Sequence, residues 1–318
     1  MIKVLANDGI SQAGIDALTA KGFDIITEKV NQEDLITTIN SENYEVLLVR
    51  SATTVRKDLI DACPHLKIVG RGGVGMDNID VEYAKEKGIN IINTPAASSA
   101  SVAELVFAHL FGMVRFLFDS NKQMPLSGDS DFKRLKKSYA SGRELAGKTL
   151  GIIGFGRIGQ EVAKRAIGLG MRVKAHDKFV EEANITLEFF NGDKKSFTIE
   201  TESMEEVLKN SDFITLHMPK IGDKAVIGAE EIGMMKTGTG IINTARGGVV
   251  DETALMFALD KEKLAYAGLD VFDNEPNPNI HICMHNAISL TPHIGGATLE
   301  AQDRIGIELA EQIITYFK

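Results

Sequence analysis

Four groups of residues have the types and spacing that chemistry needs. The first is Gly154-Phe155-Gly156-Arg157-Ile158-Gly159, which follows the apolar run 149–153 and opens a helical stretch. In that setting Gly154 permits a tight turn, Gly156 lets the backbone approach a pyrophosphate, and Gly159 lets helix and strand pack closely. The helix start at Arg157 and Ile158 offers free N–H groups and a positive dipole end to phosphates. Asp177 stands eighteen residues after Gly159, at the end of the next β-rich run. An acid there accepts the ribose 2′-OH of NAD. It also repels the 2′-phosphate of NADP, by roughly 4 kcal/mol per unit charge at ~4 Å and an effective dielectric near 20. NAD is therefore the expected cofactor, with Lys178 softening the discrimination. The other three groups follow further β-rich runs. Residues 240–243 lead into Thr244-Ala245-Arg246-Gly247-Gly248, 266–270 into Val271-Phe272-Asp273-Asn274-Glu275-Pro276, and 287–290 into Thr291-Pro292-His293-Ile294-Gly295-Gly296. Ligands of parallel sheets bind at these carboxyl ends. Arg246 can fork onto a carboxylate, His293 can exchange a hydroxyl proton, and Glu275 can bond the far imidazole nitrogen and fix its tautomer. Together they suit hydride transfer to or from a 2-hydroxy acid. Singly each is a common surface residue; three at successive strand ends behind a dinucleotide fingerprint carry the reading.

These groups need a scaffold that ends strands side by side. Short β-branched runs at 2–6, 23–26, 46–49, 66–70 and 89–91 alternate with helical spacing at 12–20, 33–39, 56–61 and 81–87, with Thr54 and Asp80 as N-caps. A second series has strands at 149–153, 172–176, 213–216, 240–243, 266–270 and 287–290. Its helices are 156–168, 203–209 and 252–260, and a last helix spans 299–316. Such alternation implies parallel sheets with helices on both faces. Between the series lies a long apolar helix, 102–118, whose hydrophobic residues point in too many directions for a lone surface helix; a homodimer is expected there. Residues 119–143 read as a loop with short helical pieces. The basic stretch Lys133, Arg134, Lys136 and Lys137 is either a solvated face or a phosphate contact. Runs 185–190 and 196–201 around Asn191-Gly192 read as a hairpin, either surface decoration or a contact with a neighbouring subunit.

With 318 residues the chain has room for two domains. Its net charge of −9 argues against nucleic-acid or anionic-membrane partners, both of which want a positive field. Two cysteines give no disulfide framework and fit a reducing, cytoplasmic setting. No run approaches the ~20 apolar residues of a membrane span, and the N-terminus reads as a first strand rather than a signal peptide. His281, Cys283 and His285 lie two apart, but no second cluster completes a metal site, and none is expected. His109 reads as a core or interface histidine; His65 and His176 have no evident partner in the sequence.

Gly154–Gly159, Asn243–Gly248, Asp270–Pro276 and Pro292–Gly296 resemble, in order and along essentially the whole chain, the signature blocks of the D-isomer-specific 2-hydroxyacid dehydrogenases. The resemblance implies an α/β fold in which a Rossmann-type, doubly wound, parallel nucleotide domain (98–287) is inserted into a flavodoxin-like substrate domain (1–97 and 288–318). It implies Arg246, Glu275 and His293 as the catalytic trio. It adds His217, Met218, Pro219, Thr244, Ala245, Asp270, Gly295 and Gly296 as cofactor contacts. The loop Gly72 to Gly75, with Val74, would face substrate and nicotinamide. Val49-Arg50-Ser51-Ala52-Thr53 and Gly70-Arg71-Gly72-Gly73-Val74-Gly75-Met76-Asp77-Asn78 resemble in particular the branch that oxidises D-3-phosphoglycerate on the way to serine. Arg50 and Arg71 each stand at a strand end, where a pair can hold a phosphate, with Ser51, Gly72 and Gly73 beside the substrate; alternatively they are surface arginines. The rival readings are a hydroxypyruvate or glyoxylate reductase and a dinucleotide-sensing corepressor. Because the chain ends at Lys318, a C-terminal regulatory domain is not expected.

Overall fold

The computed structural model describes residues 1–220 and 222–318. In chain order the first elements are β1 (Lys3–Ala6), α1 (Gln12–Thr19), β2 (Asp24–Ile26), α2 (Leu35–Glu42), β3 (Val46–Val49), α3 (Lys57–Ala62), β4 (Ile68–Arg71), α4 (Val81–Glu86) and β5 (Asn90–Asn93). Then come α5 (Ser99–Val114), α6 (Leu117–Ser127), α7 (Phe132–Ser138), β6 (Thr149–Ile153), α8 (Arg157–Gly168) and β7 (Arg172–His176). The hairpin β8 (Glu182–Glu188) and β9 (Lys194–Glu200) follows, then α9 (Met204–Asn210), β10 (Phe213–Leu216), α10 (Ala229–Met234), β11 (Thr239–Asn243), α11 (Glu252–Asp260) and β12 (Leu264–Leu269). The chain closes with α12 (Ile280–Met284), β13 (Ile288–Leu290) and α13 (Leu299–Tyr316). It divides into two compact units, one of Met1–Ser101 with Gly296–Lys318 and one of Val102–Gly295.

The first unit is a parallel five-stranded sheet ordered β2-β1-β3-β4-β5, the flavodoxin-like arrangement. The period-2 alternation of its strands decides which residues meet which layer. Val4, Ala6, Val46 and Leu48 pack with Ile305, Leu309 and Ile313 of α13 on one face. Leu5, Leu47 and Val49 pack with Leu35, Ile39, Leu59 and Ile60 of α2 and α3 on the other. α1 and α13 approach so closely that a Cβ on Gly14 would sit 2.8 Å from the Gly306 Cα.

The second unit is a parallel six-stranded sheet ordered β13-β12-β11-β10-β6-β7. β6, β10 and β11 are buried along their whole length, as a sheet covered on both faces requires. α5 and α8 cover one face; α9, α10 and α11 cover the other. In the dinucleotide-binding order 3-2-1-4-5-6 a further strand flanks β7. Here that place is held by a single parallel bridge, Ala175 to Thr201.

Several elements depart from the sequence expectation. β13 is hydrogen-bonded to β12, so residues 288–295 belong with the nucleotide unit, and the boundary falls after Gly295 rather than 287. α5 ends at Val114, not 118: Phe116 turns into the left-handed region at φ 54°, and Val114's carbonyl is taken by the Arg143 N–H. The short helical pieces expected within a loop at 119–143 are two helices, α6, which already starts at Leu117 and takes up the first part of that stretch, and α7. The hairpin strands start and stop earlier than expected, joined by a five-residue turn 189–193 that the Phe189 N–H closes on the Asp193 carbonyl. Thr54 is not an N-cap. α3 begins after Arg56, and its Lys57 N–H is met by the Asp80 carboxylate from a distant segment. Asp80 in turn caps no N–H of its own helix. Among the described residues, no single helix is long and apolar enough to cross a membrane.

Candidate active site

The strand ends of the second unit build the site. The turn after β6 leaves no room for side chains: Gly154 has φ 95°, and its Cβ would fall 2.5 Å from the His217 carbonyl oxygen. A Cβ on Gly159 would overlap the Gly154 carbonyl oxygen, so helix and turn are in backbone contact. At Gly156 a Cβ would meet nothing within 4 Å, so that position is open to an approaching group. α8 starts there with Arg157 and Ile158.

Asp177, just past β7, accepts from the Phe155 N–H at 2.6 Å with one oxygen and from the Phe179 and Val180 N–H groups with the other. Burial pushes its pKa up, but these backbone donors outweigh burial and hold the carboxyl below its ordinary value. His176 has a partner after all: its Nδ1 meets the Glu202 carbonyl at 2.8 Å. At the end of β10, burial pushes His217 down to about 3. Its Nε2 meets the Thr215 hydroxyl at 2.9 Å. Met218 and Pro219 follow at increasing exposure. His217 Nδ1 and Thr244 Oγ1 are buried polar atoms without a hydrogen-bond partner among the described residues. A tight glycine turn at a helix start, an acid at the second strand end and two such polar atoms at the next strand ends together fit a dinucleotide.

Arg246 lies in a turn set by Asn243, which is buried. The Asn243 Oδ1 accepts from the Ala245 N–H, and its Nδ2 donates to the Arg246 carbonyl. Gly247 lies directly on the Phe272 carbonyl, where no Cβ fits, so the turn carrying Arg246 abuts the turn carrying Glu275. Glu275 accepts from the Phe272 N–H at 2.9 Å with Oε1 and meets His293 Nδ1 at 2.7 Å with Oε2. His293 has φ 54°, in the left-handed region, and half its side chain is exposed. Its loop is held by Asp270, which is 1% exposed. Asp270 accepts from the Thr291 hydroxyl and the Ile294 N–H through Oδ1, and from the Gly295 N–H through Oδ2. The expected residues of this unit thus fall into two contact groups, one around the glycine turn with Asp177 and His217, the other joining the Arg246 turn, Glu275, His293 and Asp270.

The other expected residues, Arg50, Ser51, Arg71, Gly72, Gly73, Val74 and Gly296, lie in the first unit. Arg50 follows β3 and Arg71 ends β4. The Arg71 guanidinium lies against Gly73, and a Cβ on Gly72 would sit 3.6 Å from the Arg50 Cγ, so both side chains flank one glycine turn. Ser51 is exposed beside them. Asp8, not foreseen from sequence, and Asn78, the last residue of the Gly70 to Asn78 block, hold this corner. Asp8 accepts from the Arg50 N–H, the Thr53 N–H and the Thr53 hydroxyl. Asn78 donates to the Arg50 and Thr53 carbonyls. Asn7-Asp8-Gly9 carries a turn signal, but partners more than forty residues away leave no local trace. Val74 is exposed, and its carbonyl accepts from Asn93. The basic stretch on α7 is surface, with Arg134 paired to Asp131.

This fold and site are those of a dehydrogenase family, and the chain belongs to it. Residues 107–295 match the D-isomer specific 2-hydroxyacid dehydrogenase, NAD binding domain. Over its length the chain is 41% identical to the hydroxypyruvate reductase of Thermotoga maritima, covering 98% of this chain and 97% of that one. It is 40% identical to the D-3-phosphoglycerate dehydrogenase of Methanocaldococcus jannaschii, covering 98% of this chain but 57% of that one. Among solved structures, a glyoxylate reductase from Paecilomyes thermophila superposes with a TM-score of 0.82 at 28% identity, over 100% of this chain and 95% of the other. The cofactor of the family is NAD, which the open glycine turn and the buried polar atoms His217 Nδ1 and Thr244 Oγ1 fit.

Proposed function

We propose that the protein oxidises the C2 hydroxyl of D-3-phosphoglycerate to 3-phosphohydroxypyruvate. The observation that carries the chemistry is the 2.7 Å bond between Glu275 Oε2 and His293 Nδ1, with the other Glu275 oxygen fixed on the Phe272 N–H. The carboxylate holds the imidazole proton on Nδ1, which leaves Nε2 bare to take the hydroxyl proton. Arg246 grips the substrate carboxylate and steadies charge on the C2 oxygen. When bound, the dinucleotide supplies the hydride acceptor. Run backwards, the protonated imidazole returns its proton to the C2 oxygen. Arg50 and Arg71, flanking the Gly72-Gly73 turn, support a phosphorylated substrate. The setting proposed is the cytoplasm: both cysteines are free, and burial pushes the Cys63 thiol up to about 11, out of reach of thiolate chemistry.

A second reading, reduction of hydroxypyruvate by the same residues, is favoured by the 41% identity to the Thermotoga maritima hydroxypyruvate reductase along nearly all of both chains. One panel separates the two: NADH formation with D-3-phosphoglycerate and D-glycerate, and NADH consumption with hydroxypyruvate. Arg50→Ala or Arg71→Ala should lower kcat/KM for phosphoglycerate by about 10- to 100-fold, at roughly 1.5–3 kcal/mol per charged bond, and leave D-glycerate use nearly unchanged. Efficient hydroxypyruvate reduction, indifferent to both arginines and unmatched by phosphoglycerate, would transfer the assignment to the second reading.

A further inference from the structure

We infer that His109 is a positioning residue for the loop that carries His293, acting through Thr291 and Asp270. It rests on the proposed function only in naming His293 as the proton-transferring group. His109 lies on α5, is 2% exposed, and spans from the helix to the far end of the sheet. Its ring crosses β12 at Gly268, where a Cβ would stand 3.0 Å from the His109 Cβ and 3.1 Å from Cγ, so the strand leaves out a side chain where the imidazole passes. Its Nε2 is 3.1 Å from Thr291 Oγ1 and its Nδ1 is 2.8 Å from Ser289 Oγ.

The proton inventory fixes the direction of each bond. A hydroxyl has one proton, and Thr291 gives its own to Asp270 Oδ1 at 2.7 Å. It therefore accepts from His109, whose proton sits on Nε2, and the bare Nδ1 accepts from the Ser289 hydroxyl. Burial lowers the pKa of His109 against the pull of Asp270, which agrees with a neutral ring. The chain of donors runs onward: Asp270 holds the N–H groups of Ile294 and Gly295, the two residues directly after His293, which stands at positive φ. Without the imidazole proton the Thr291 hydroxyl loses its orienting donor, and the Asp270 grip on the loop loosens.

The test uses the full chain with His109→Leu, His109→Gln, Thr291→Val and Ser289→Ala. It reads amide hydrogen exchange at Ile294 and Gly295 beside kcat and KM. His109→Leu should speed exchange at those two amides about tenfold, the loss of roughly one hydrogen bond, and lower kcat about tenfold with KM within about threefold. His109→Gln places an amide nitrogen where Nε2 stands and should restore both. Ser289→Ala should behave as the unmodified protein, because that bond does not lead to Asp270. If His109→Leu fails to fold, Thr291→Val carries the same expectation with the histidine intact. Unchanged exchange at both amides in the Leu or Val variant would overturn the inference, as would a Gln variant no better than Leu or a Ser289→Ala loss equal to Leu. If the exchange pattern appears in a chain that transfers no hydride, the positioning role stands and the proposed reaction falls.

Discussion

Three aspartates in this chain do the same physical work at different corners. Asp177 and Asp270 each accept three hydrogen bonds and Asp8 accepts four, most of the ten from backbone N–H groups, and each thereby ties a loop to a strand end. A carboxylate engaged this way is stabilised in its charged form, so Asp8 and Asp177 titrate below the ordinary range although burial opposes it. For Asp177 the arrangement has a second result. The charge is fixed beside the glycine turn and cannot swing away from a 2′-phosphate. Asp177→Ala should therefore narrow the preference for NAD over NADP by at least about tenfold, read as the ratio of kcat/KM for the two cofactors. Equal use of both cofactors by the unmodified protein would contradict it.

At the scale of elements, α5 and α6 carry an apolar surface that the second unit does not cover. Phe111, Leu117, Phe118 and Met124 are 44–62% exposed, and Leu126 is 75% exposed. We expect a second copy of the chain to bury it. Leu117→Asp with Phe118→Asp should convert a dimer to a monomer in sedimentation at micromolar concentration, and a unmodified chain that sediments only as a monomer would refute this. The strands of both sheets were legible in the sequence because a doubly covered parallel strand is a short, mostly apolar run, as in 149–153 before the Gly154 turn. Arg246, Glu275 and His293 were picked out because each follows such a run, and the structure brings Glu275 and His293 to 2.7 Å. The α5 break was not legible: Phe116 adopts a left-handed conformation with no glycine to announce it. α6 escaped because its apolar residues, Leu117, Phe118, Met124 and Leu126, are exposed, and between them runs the polar stretch Asp119–Gln123 with Pro125 beyond it. His109 looked like a core histidine, which it is. Its partners Ser289 and Thr291 are about 180 residues away, and only the sheet brings them together.

For the molecule as a whole, acid should act through histidine before it acts through carboxylates. Burial holds His217 at about 3, whereas an unfolded chain protonates the ring near 6.5. Between those values the unfolded state binds the extra proton, so stability falls as pH falls. Asp8 and Asp177, with lowered values, give up their contribution only below about pH 4. His217→Gln should accordingly lose about 1.5 kcal/mol less than the unmodified protein between pH 6.5 and 5, measured by urea unfolding. Parallel losses in the two proteins would show that this ring does not couple to folding.

The first unit is written in two pieces of sequence, and that sets an order in time. Its sheet is complete once β5 has been made, yet one face of it is covered only in part, by Leu18 of α1, until Ile305, Leu309 and Ile313 of α13 arrive. The whole of 102–295 emerges in between and can fold on its own strands while the earlier segment waits. A nascent chain therefore carries an unclosed apolar face, including Val4, Val46 and Leu48, through most of its synthesis. Its last helix, lying against α1 at the Gly14–Gly306 contact, is the piece that ends that exposure.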